Sequence, residues 1–479
     1  MANIDLLSLL LPYGDRTIKV KAKASGYSDS DFSNSVTYHS APIIAMDSED
    51  DSVLVISNLR AAATGYQIYL NGTLNSTVPY SGADGGSMNV DLDDLSDVPE
   101  GSLSIYVKGV GTGVEDNTSN TLSIWYGSAA LPVYGVSGLY QSSPALTRTD
   151  AAVGMSATVN SSSGAVSSDF DSVFPWNEAE VKTVNGNKFL QMPDMYFRIG
   201  KDSSNRITDV AVSKMAGTDD STHTWHKVDS FYYGCYGASV SNNKLASVSG
   251  VARQGTKTRA EFRSLASANG SGYQQLDLYH HTVMMFLWWI EWASKDSQSI
   301  MRGKDGSIGG ASLVNTGGTD FLGEYGTQGA IPSGFNTSTG QMRWHYIEDY
   351  IGNQREFVDG TVGSGSTYYV TADPSKFNDT GTGMNTLGYG YPSNASSSNR
   401  CISAYGWDSN NPFLCEPKEQ TGTDYTVHFC DSNPASNNVV LMVGAIYNNS
   451  DALFGVSFCY RSTATYSYAN FGGRLLYKP

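Results

Sequence analysis

Positive charge is scarce in this chain. It has 30 Lys and Arg against 46 Asp and Glu in 479 residues, and its formal net charge is −16 at pH 7. A nucleic-acid-binding surface needs clustered basic residues, because it must neutralise phosphate groups. An anionic membrane surface attracts proteins through the same kind of basic patch. The composition therefore argues against both nucleic acid and an anionic membrane as partners.

Long apolar runs are also missing. The first residues, "MANIDLLSLLLPYG", lack the basic start of an export leader, and their apolar run stops at Pro12. The most apolar stretch, "TVMMFLWWIEWA" from Thr282, contains Glu291 and is far shorter than the ~20 residues that span a bilayer. We expect neither an export leader nor membrane insertion.

Cysteine is rare and unpatterned. An odd number of cysteines at wide spacings, with no CxxC pair, fits neither a disulfide framework nor a zinc site. We expect free, mostly buried thiols. The five are Cys235, Cys401, Cys415, Cys430 and Cys459.

Glycine and tyrosine are abundant instead. The chain has 50 Gly and 30 Tyr, and only 16% of its residues are charged. This composition favours turn-rich β structure over helical bundles. At about 100–200 residues per domain, the length allows two to four domains. We therefore expect a β-rich, multidomain protein.

Two N-terminal segments repeat each other. "GDRTIKVKAKASGYSDSDFSNSVTY" ends at Tyr38, and "GSLSIYVKGVGTGVEDNTSNTLSIWY" ends at Tyr126. Each gives an alternating strand, a polar turn and a second strand, which is typical of a half-buried antiparallel pair. Further strands precede the second copy, in "SVLVISNL", "TGYQIYLNGTL" and "SMNVDLDDL".

These strands predict one β-sandwich over residues 41–127, which resembles an immunoglobulin or fibronectin type III module. Residues 1–40 hold only the last strands of such a module, and they cannot close a sandwich because their edges would lack partners. We interpret 1–40 as a partial module, left either by truncation or by strands that a neighbour supplies. Tandem sandwiches of this kind are usually spacers.

The local sequence pattern changes after residue 127. Helical spacing of apolar residues predicts a helix over 282–294, and "RAEFRSLASA" predicts another at 259–268. The remainder is short strands and Ser/Asn/Gly-rich loops, notably 361–400. No clear linker divides 128–479, so we expect one large α+β domain.

The histidines argue against a metal site. "HTWH" at His223 and His226 is the only i, i+3 pair, it lies in a segment predicted as a loop, and two histidines make an incomplete site. His280 and His281, before the Trp-rich helix, are expected to be structural. We predict no catalytic residue, no metal and no cofactor.

One internal motif carries a family resemblance. "RWHYIEDYIGNQREFVDG", residues 343–360, resembles the "W…E…GNxxEWVDG" segment of C-type-lectin-fold proteins of the formylglycine-generating-enzyme type. Phe357 stands where Trp is usual. The matching residues are Trp344, Glu348, Gly352, Asn353, Phe357, Val358, Asp359 and Gly360. The resemblance implies a C-type lectin fold for 128–479.

The tail carries a second resemblance. "VGAIYNNSDALFGVSF" and "NFGGRLLYKP" are similar to the "GGxWxNG…AGxF…NxGxRL" ending of variable proteins made by diversity-generating retroelements. That family includes phage receptor-binding proteins of the major tropism determinant type. Ala445, Tyr447 and Ser450 depart from the motif, and the spacing around Gly455 differs. The similarity implies a variable region at about 443–470, followed by a buried strand at 472–476.

In that family selected codons are rewritten while scaffold codons stay fixed, so the tail would combine a fixed frame with a displayed surface. Tyr gives rigid contact area, and Ser and Asn give adaptable hydrogen bonds, as in antibody paratopes. Such tails also occur as ordinary β-edge surface, and Leu453 and Phe454 could be core. The predicted ligand-binding set is Ile446, Tyr447, Asn448, Asp451, Leu453, Phe454, Ser457, Cys459, Tyr460, Arg461, Ser462, Thr465, Tyr466 and Tyr468.

The resemblance implies a phage receptor-binding protein at a tail-fibre tip, assembled in the bacterial cytoplasm as a homotrimer. Its variable surface would bind a host-cell-surface protein or glycan, and its N-terminal modules would attach to other virion tail proteins. The alternatives are an enzyme or carbohydrate-active protein on the same fold, and a purely structural virion protein.

The enzyme alternative lacks its expected residues. Formylglycine-generating enzymes need a reactive cysteine pair, but Cys430 and Cys459 are far apart, and Leu475 follows Arg474 where that family has cysteine. Related sulfoxide synthases need three histidines. We therefore expect a non-enzyme whose motif residues Trp344, Asn353, Phe357, Asp359 and Arg474 are buried as a scaffold.

Overall fold

The chain forms two compact units in a computed structural model, Met1–Leu131 and Pro132–Pro479. The structure describes residues 16–18, 36–38, 41–47, 52–112, 114, 118–126, 132–141, 143–305, 312–323, 333–335, 339–390, 401–421, 438–444 and 458–479. The domain boundary predicted after residue 127 lies outside these residues. The molecule is β-rich, as its composition indicates.

The N-terminal unit contains three sheets within its described residues. Its strands are β1 (Arg16–Ile18), β2 (Val36–Tyr38), β3 (Ile43–Met46), β4 (Val53–Leu59), β5 (Gly65–Leu70), β6 (Thr73–Pro79), β7 (Gly86–Asp91), β8 (Gly101–Val110) and β9 (Leu122–Tyr126). The antiparallel pairs β1–β2 and β8–β9 are those that the internal repeat predicts.

Two sheets of this unit share one apolar core. One has the order β3-β4-β7 and the other β6-β5-β8-β9. Alternation explains the packing: Leu103, Ile105 and Val107 of β8 are fully buried, and the residues between them are half-buried. They meet Ile44, Leu54, Ile56 and others from the facing strands.

The C-terminal unit begins with a series of strands that contribute to its core. They are β10 (Tyr134–Ser137), β11 (Thr147–Asp150), β12 (Ala157–Val159), β13 (Val166–Ser168), β14 (Glu180–Val184), β15 (Asn187–Met192), β16 (Met195–Lys201), β17 (Ile207–Ser213), β18 (His223–Val228), β19 (Phe231–Gly237), β20 (Ser239–Ser241), β21 (Lys244–Ala246) and β22 (Tyr273–Gln275).

The later strands carry both sequence motifs. They are β23 (Gly334–Phe335), β24 (Met342–Trp344), β25 (Ile347–Glu348), β26 (Arg355–Phe357), β27 (Thr361–Ser364), β28 (Thr367–Val370), β29 (Asn385–Gly390), β30 (Cys401–Tyr405), β31 (Pro417–Thr421), β32 (Val439–Val443), β33 (Phe458–Thr463), β34 (Phe471–Gly472) and β35 (Arg474–Tyr477). The loop predicted over 361–400 is wrong in part, because β27, β28 and β29 lie within 361–390.

Three sheets organise this unit. Two have five strands, with the orders β11-β10-β17-β16-β18 and β14-β15-β19-β35-β22. The third has seven strands, with the order β29-β28-β27-β32-β26-β34, and β33 pairs with β32. The chain end thus contributes to two sheets, since β34 lies in the third sheet and β35 in the second.

The helices are α1 (Arg259–Ser267), α2 (Leu278–Trp292) and the short α3 (Ser297–Ile300). Thr258 and Glu261 form a reciprocal capping box at the start of α1. Asp277 caps α2, and Ala293 ends it in a left-handed conformation. Single 3-10 turns occur at Leu92–Asp94, Asp169–Ser172, Trp176–Glu178, Asp320–Leu322 and Pro374–Lys376.

Both predicted helices are confirmed, but α2 begins four residues earlier than its apolar spacing indicated. Every residue of α2 except Tyr279 is buried, so it is a central helix and not an amphipathic one. No helix among the described residues is both long and apolar enough to cross a membrane.

Candidate ligand-binding surface

The motif segment 343–360 forms the buried centre of the C-terminal unit. Trp344, Asn353, Phe357, Asp359 and Arg474 are each at most 1% exposed. The Trp344 Nε1 donates to Glu291 at 2.8 Å, and the Asn353 amide donates to Asp349 at 2.8 Å. The prediction that these residues are a buried, hydrogen-bonded scaffold is confirmed.

Arg474 ties the last strand to this motif. Its guanidinium donates from Nε and Nη2 to the Glu356 carboxylate, both at 2.7 Å, and from Nη1 to the Gly234 carbonyl at 2.8 Å. Nη2 also reaches the backbone carbonyls of Glu348 and Asp349. Two parallel bonds to one carboxylate fix the position of β35 relative to β26.

Arg253 extends the same cluster. It donates to Glu356 at 2.8 Å and to Asp349 at 3.1 Å, and its side chain is fully buried. We call Arg253, Glu348, Asp349, Glu356 and Arg474 the charge network. Both arginines of the network are paired with buried carboxylates, and removal of either arginine would leave a carboxylate short of a partner.

A second ion cluster lies beside α1. Arg263 of α1 binds Asp359 through two bonds of 2.6 and 2.9 Å. Arg263 and Arg259 both donate to Asp379, at 2.7 and 2.8 Å. Burial acts to raise the pKa of Asp379, but Arg259 and Arg263 outweigh it and hold that pKa below its usual value. The cluster joins α1, the end of the motif and the residues before β29.

The pKa of Glu348 in the charge network is unusually high. Burial and the neighbouring Asp349 raise it to about 7, although the Gly317 and Thr319 amides donate to the carboxylate at 2.8 and 2.9 Å. In the unfolded chain a Glu pKa is about 4.3. Between about pH 4.5 and 7, Glu348 therefore binds a proton more tightly in the folded state than in the unfolded chain. Its contribution to the free energy of unfolding falls as pH rises through that window.

We expect Glu348→Gln to remove this dependence. The variant cannot ionise, so its free energy of unfolding relative to the unsubstituted chain should increase from pH 4.5 to pH 7. Urea unfolding at several pH values measures the difference. A difference that stays constant across the window would contradict the raised pKa.

The tail places aromatic residues at the surface. Residues 464–470, which we call the tail turn, connect β33 to β34. Tyr466 is 41% exposed, Tyr468 is 57% exposed and Thr465 is also exposed. The two tyrosine rings meet edge to face at 5.4 Å, and both lie against Phe471. The turn therefore displays a small aromatic platform.

The backbone of the tail turn is held firmly. The Thr256 amide donates to the Tyr468 carbonyl at 3.0 Å, and the Gln354 side chain donates to the Ala469 carbonyl at 2.8 Å. The Arg355 amide donates to the Asn470 carbonyl at 3.1 Å. Gly255 is needed here, because a Cβ would lie 2.5 Å from the Ala469 carbonyl oxygen. Exposed side chains thus stand on a fixed backbone.

An open depression of about 490 Å³ adjoins the tail turn. The start of α1, the segment before β29 and the end of β33 each contribute to its lining. The lining residues are Thr258, Ala260, Asp379, Thr380, Asn438, Thr463, Ala464 and Thr465. Four hydroxyl groups, one amide and one carboxylate line the depression and can form hydrogen bonds. Tyr466 follows the lining residue Thr465 in the chain. We call the depression and the tail turn together the tail surface.

Three members of the predicted ligand-binding set can be placed with their side chains. Thr465, Tyr466 and Tyr468 are exposed together on the tail turn. Cys459, Tyr460, Arg461 and Ser462 lie in β33, and the structure describes only the backbone of these four residues. The other members lie outside the described residues: Ile446, Tyr447, Asn448, Asp451, Leu453, Phe454 and Ser457.

Sequence patterns missed the opposite side of the depression. Asp379, Thr380 and Asn438 belong to no motif, and Asp379 and Thr380 lie far from the tail in the chain. The capping pattern at Thr258 identifies a helix start but not a binding surface. These residues are brought together only by the packing of α1 against the third sheet.

The histidines have structural partners. His223 and His226 lie in β18 and not in a loop, so that interpretation is wrong. His223 lies 3.2 Å from both Asp209 and Asp220, and His226 packs against Trp407 and Phe413. His280 lies 2.9 Å from the carboxylate of Asp277. Strand alternation places the two members of "HTWH" on opposite faces, which explains why they do not converge.

Comparisons with known proteins assign no relative. No protein-family model matches the chain, and no curated protein is significantly similar to it.

Proposed function

We propose that the chain is a receptor-binding protein of the phage tail-fibre type, and that the tail surface binds a protein or glycan on the host cell. The observation that carries the proposal is the contrast between the tail turn and its support. Exposed Thr465, Tyr466 and Tyr468 stand on a backbone whose carbonyls accept hydrogen bonds from Thr256, Gln354 and Arg355. A surface whose residues change without loss of the fold needs exposed side chains on a backbone that other residues hold in place.

The proposed fold assignment rests on strand order and on the motif. The orders β3-β4-β7 and β6-β5-β8-β9 around one core support a fibronectin type III-like module. For the C-terminal unit, the buried Trp344, Asn353, Asp359 and Arg474 support a C-type lectin fold of the formylglycine-generating-enzyme type. In this proposal the first unit is a spacer and the second is the ligand-binding head.

Binding would use contact area and hydrogen bonds. Tyr466 and Tyr468 offer amphipathic rings with little conformational entropy to lose, and aromatic side chains dominate binding hot spots. The hydroxyl groups around the depression can bind the polar groups of a glycan or of a peptide backbone. Variation at the surrounding positions would change the ligand while the scaffold stays the same.

An enzyme on this fold is the less favoured function. Burial raises the pKa of the Cys235 and Cys415 thiols above its usual value, so these two are poor nucleophiles at neutral pH. The buried Arg253 and Arg474 are paired with buried carboxylates that support the fold.

Cell binding tests the proposal. The purified, fluorescently labelled chain should adsorb to a restricted set of bacterial strains, and excess unlabelled chain should compete. Equal adsorption to all strains, or none to any strain across a broad panel, would contradict a receptor-binding role.

We also expect the chain to assemble as a trimer on a tail fibre in the virion. Three copies would raise avidity through effective concentration, so that each head could bind weakly. Light scattering of the full chain at micromolar concentration should give three times the mass of one chain. A monomer at every concentration would contradict this part of the proposal.

A further inference from the structure

Three side chains that can bind a metal converge in the C-terminal unit, and none of them belongs to the tail surface. Asp171 comes from the 3-10 turn Asp169–Ser172, Glu291 from the last turn of α2, and His345 from the hairpin between β24 and β25. One potential ligand atom from each lies within 4.8 Å of the others. The residues are distant in sequence, and no spacing pattern identifies them.

His345 points one nitrogen at each carboxylate. Its Nε2 lies 2.7 Å from the Glu291 carboxylate, and its Nδ1 lies 3.9 Å from the Asp171 carboxylate. The side chain is only 3% exposed, and Nδ1 makes no hydrogen bond with any residue that the structure describes. A buried ring nitrogen without a partner is costly, because it has lost its bonds to water.

Glu291 is fixed around this imidazole. Its Oε2 also accepts from the Trp344 Nε1 at 2.8 Å, and its Oε1 accepts from the Ser168 hydroxyl at 3.0 Å. When the Glu291 carboxylate accepts a hydrogen bond from the protonated Nε2 of a neutral imidazole, Nδ1 carries the lone pair. Metal-binding histidines are usually held in this way, with the second nitrogen donating to a carboxylate.

The hairpin that presents His345 has an unusual backbone. His345 and Tyr346 have φ values of +41° and +65°, in the left-handed region. Two-residue hairpin turns of this kind strongly favour Asn-Gly or Asp-Gly. A histidine with a bulky neighbour is disfavoured here, and strained positions of this kind cluster at functional sites.

We propose that Asp171, Glu291 and His345 form a transition-metal site whose preferred ion is zinc, with His345 Nδ1 and Asp171 as direct ligands and Glu291 as the carboxylate that orients the imidazole. Bonds of about 2.0–2.1 Å from zinc to nitrogen and about 2.0–2.2 Å from zinc to oxygen together span at most ~4.3 Å. The 3.9 Å between Nδ1 and Asp171 therefore admits an ion between them.

Chemistry and access both suit such an ion. An imidazole favours zinc and its neighbours in the first transition row, whereas magnesium and calcium prefer oxygen ligands alone. The Asp171 side chain is 28% exposed, so an ion and its water ligands can enter from that side. A bound ion would join the 3-10 turn, α2 and the 344–347 hairpin.

Zinc titration of the chelator-treated full chain, with a chromophoric chelator as competitor, tests the site. We expect one zinc per chain, and at least tenfold weaker binding in both His345→Gln and Asp171→Asn. His223→Gln is the matched control, since His223 also lies between two carboxylates but both of its nitrogens are occupied. That variant should bind zinc as the unsubstituted chain does.

Asp171→Asn keeps the test valid if His345→Gln fails to fold, because Asp171 lies at the half-exposed edge of the cluster. Cobalt substitution should add visible absorption bands that both variants lose. Unchanged zinc affinity in Asp171→Asn, or calcium binding as tight as zinc binding, would overturn the proposal. The absence of bound zinc from the unsubstituted chain would also overturn it.

Discussion

Arg474→Met is expected to lower the free energy of unfolding of the C-terminal unit by ~3–5 kcal/mol, since it removes one partner of a buried ion pair. Glu356 would keep Arg253 but lose two bonds of 2.7 Å, and three backbone carbonyls would lose their donor. Urea unfolding followed by tryptophan fluorescence measures the change.

Two companion variants sharpen this experiment. Arg474→Lys keeps the charge but cannot make two parallel bonds, so its loss should be intermediate. Lys478→Met, four positions later on a side chain that is 49% exposed, should change stability by no more than about 0.5 kcal/mol. A loss below about 1 kcal/mol in Arg474→Met would show that the charge network does not support the fold.

Replacing Tyr466 and Tyr468 together with Ser should abolish adsorption to host cells while leaving the fold intact. An aromatic hot spot contributes about 2 kcal/mol or more to binding, which is ~30-fold in affinity per residue. Both side chains are substantially exposed, so the stability change should be about 0.5 kcal/mol per site. Adsorption and urea unfolding of the same variant separate the two effects.

The matched control is Tyr140→Ser, because Tyr140 is 40% exposed and belongs to no part of the tail surface. This variant should adsorb normally. Unfolding of the double variant would mean that the tail turn is core. A folded double variant that still adsorbs would place the receptor site away from the tail turn, in the segment 361–420 or on the N-terminal unit.

Local sequence patterns predicted the helices and strands in which the spacing of apolar residues matches the spacing of buried residues. Leu103, Ile105 and Val107 alternate in the sequence and alternate in the core. The helix α1 was predicted from the stretch "RAEFRSLASA". The buried motif residues were predictable only through the family resemblance, since nothing in their composition distinguishes Asp359 or Arg474 from surface charges.

Long-range contacts explain what the sequence could not predict. The region 361–390 is rich in Gly, Ser and Thr, yet β27 finds a partner in β32, and β28 and β29 continue the sheet from it. Asp379 has two arginine partners that lie more than a hundred positions earlier. His345 meets Glu291 and Asp171 through the packing of three separate elements. None of these pairings leaves a local signal.

Sequencing the gene segment that encodes residues 443–479 in a natural population that carries this gene shows most directly whether a variable surface is separate from a fixed scaffold. We expect substitutions confined to the predicted ligand-binding set between Ile446 and Tyr468, with every change at an adenine of a nearby template repeat beside a reverse-transcriptase gene. Codons for Gly472, Arg474 and Leu475 should not vary. Substitutions spread evenly over both groups of codons, or a locus without the template repeat, would contradict this expectation.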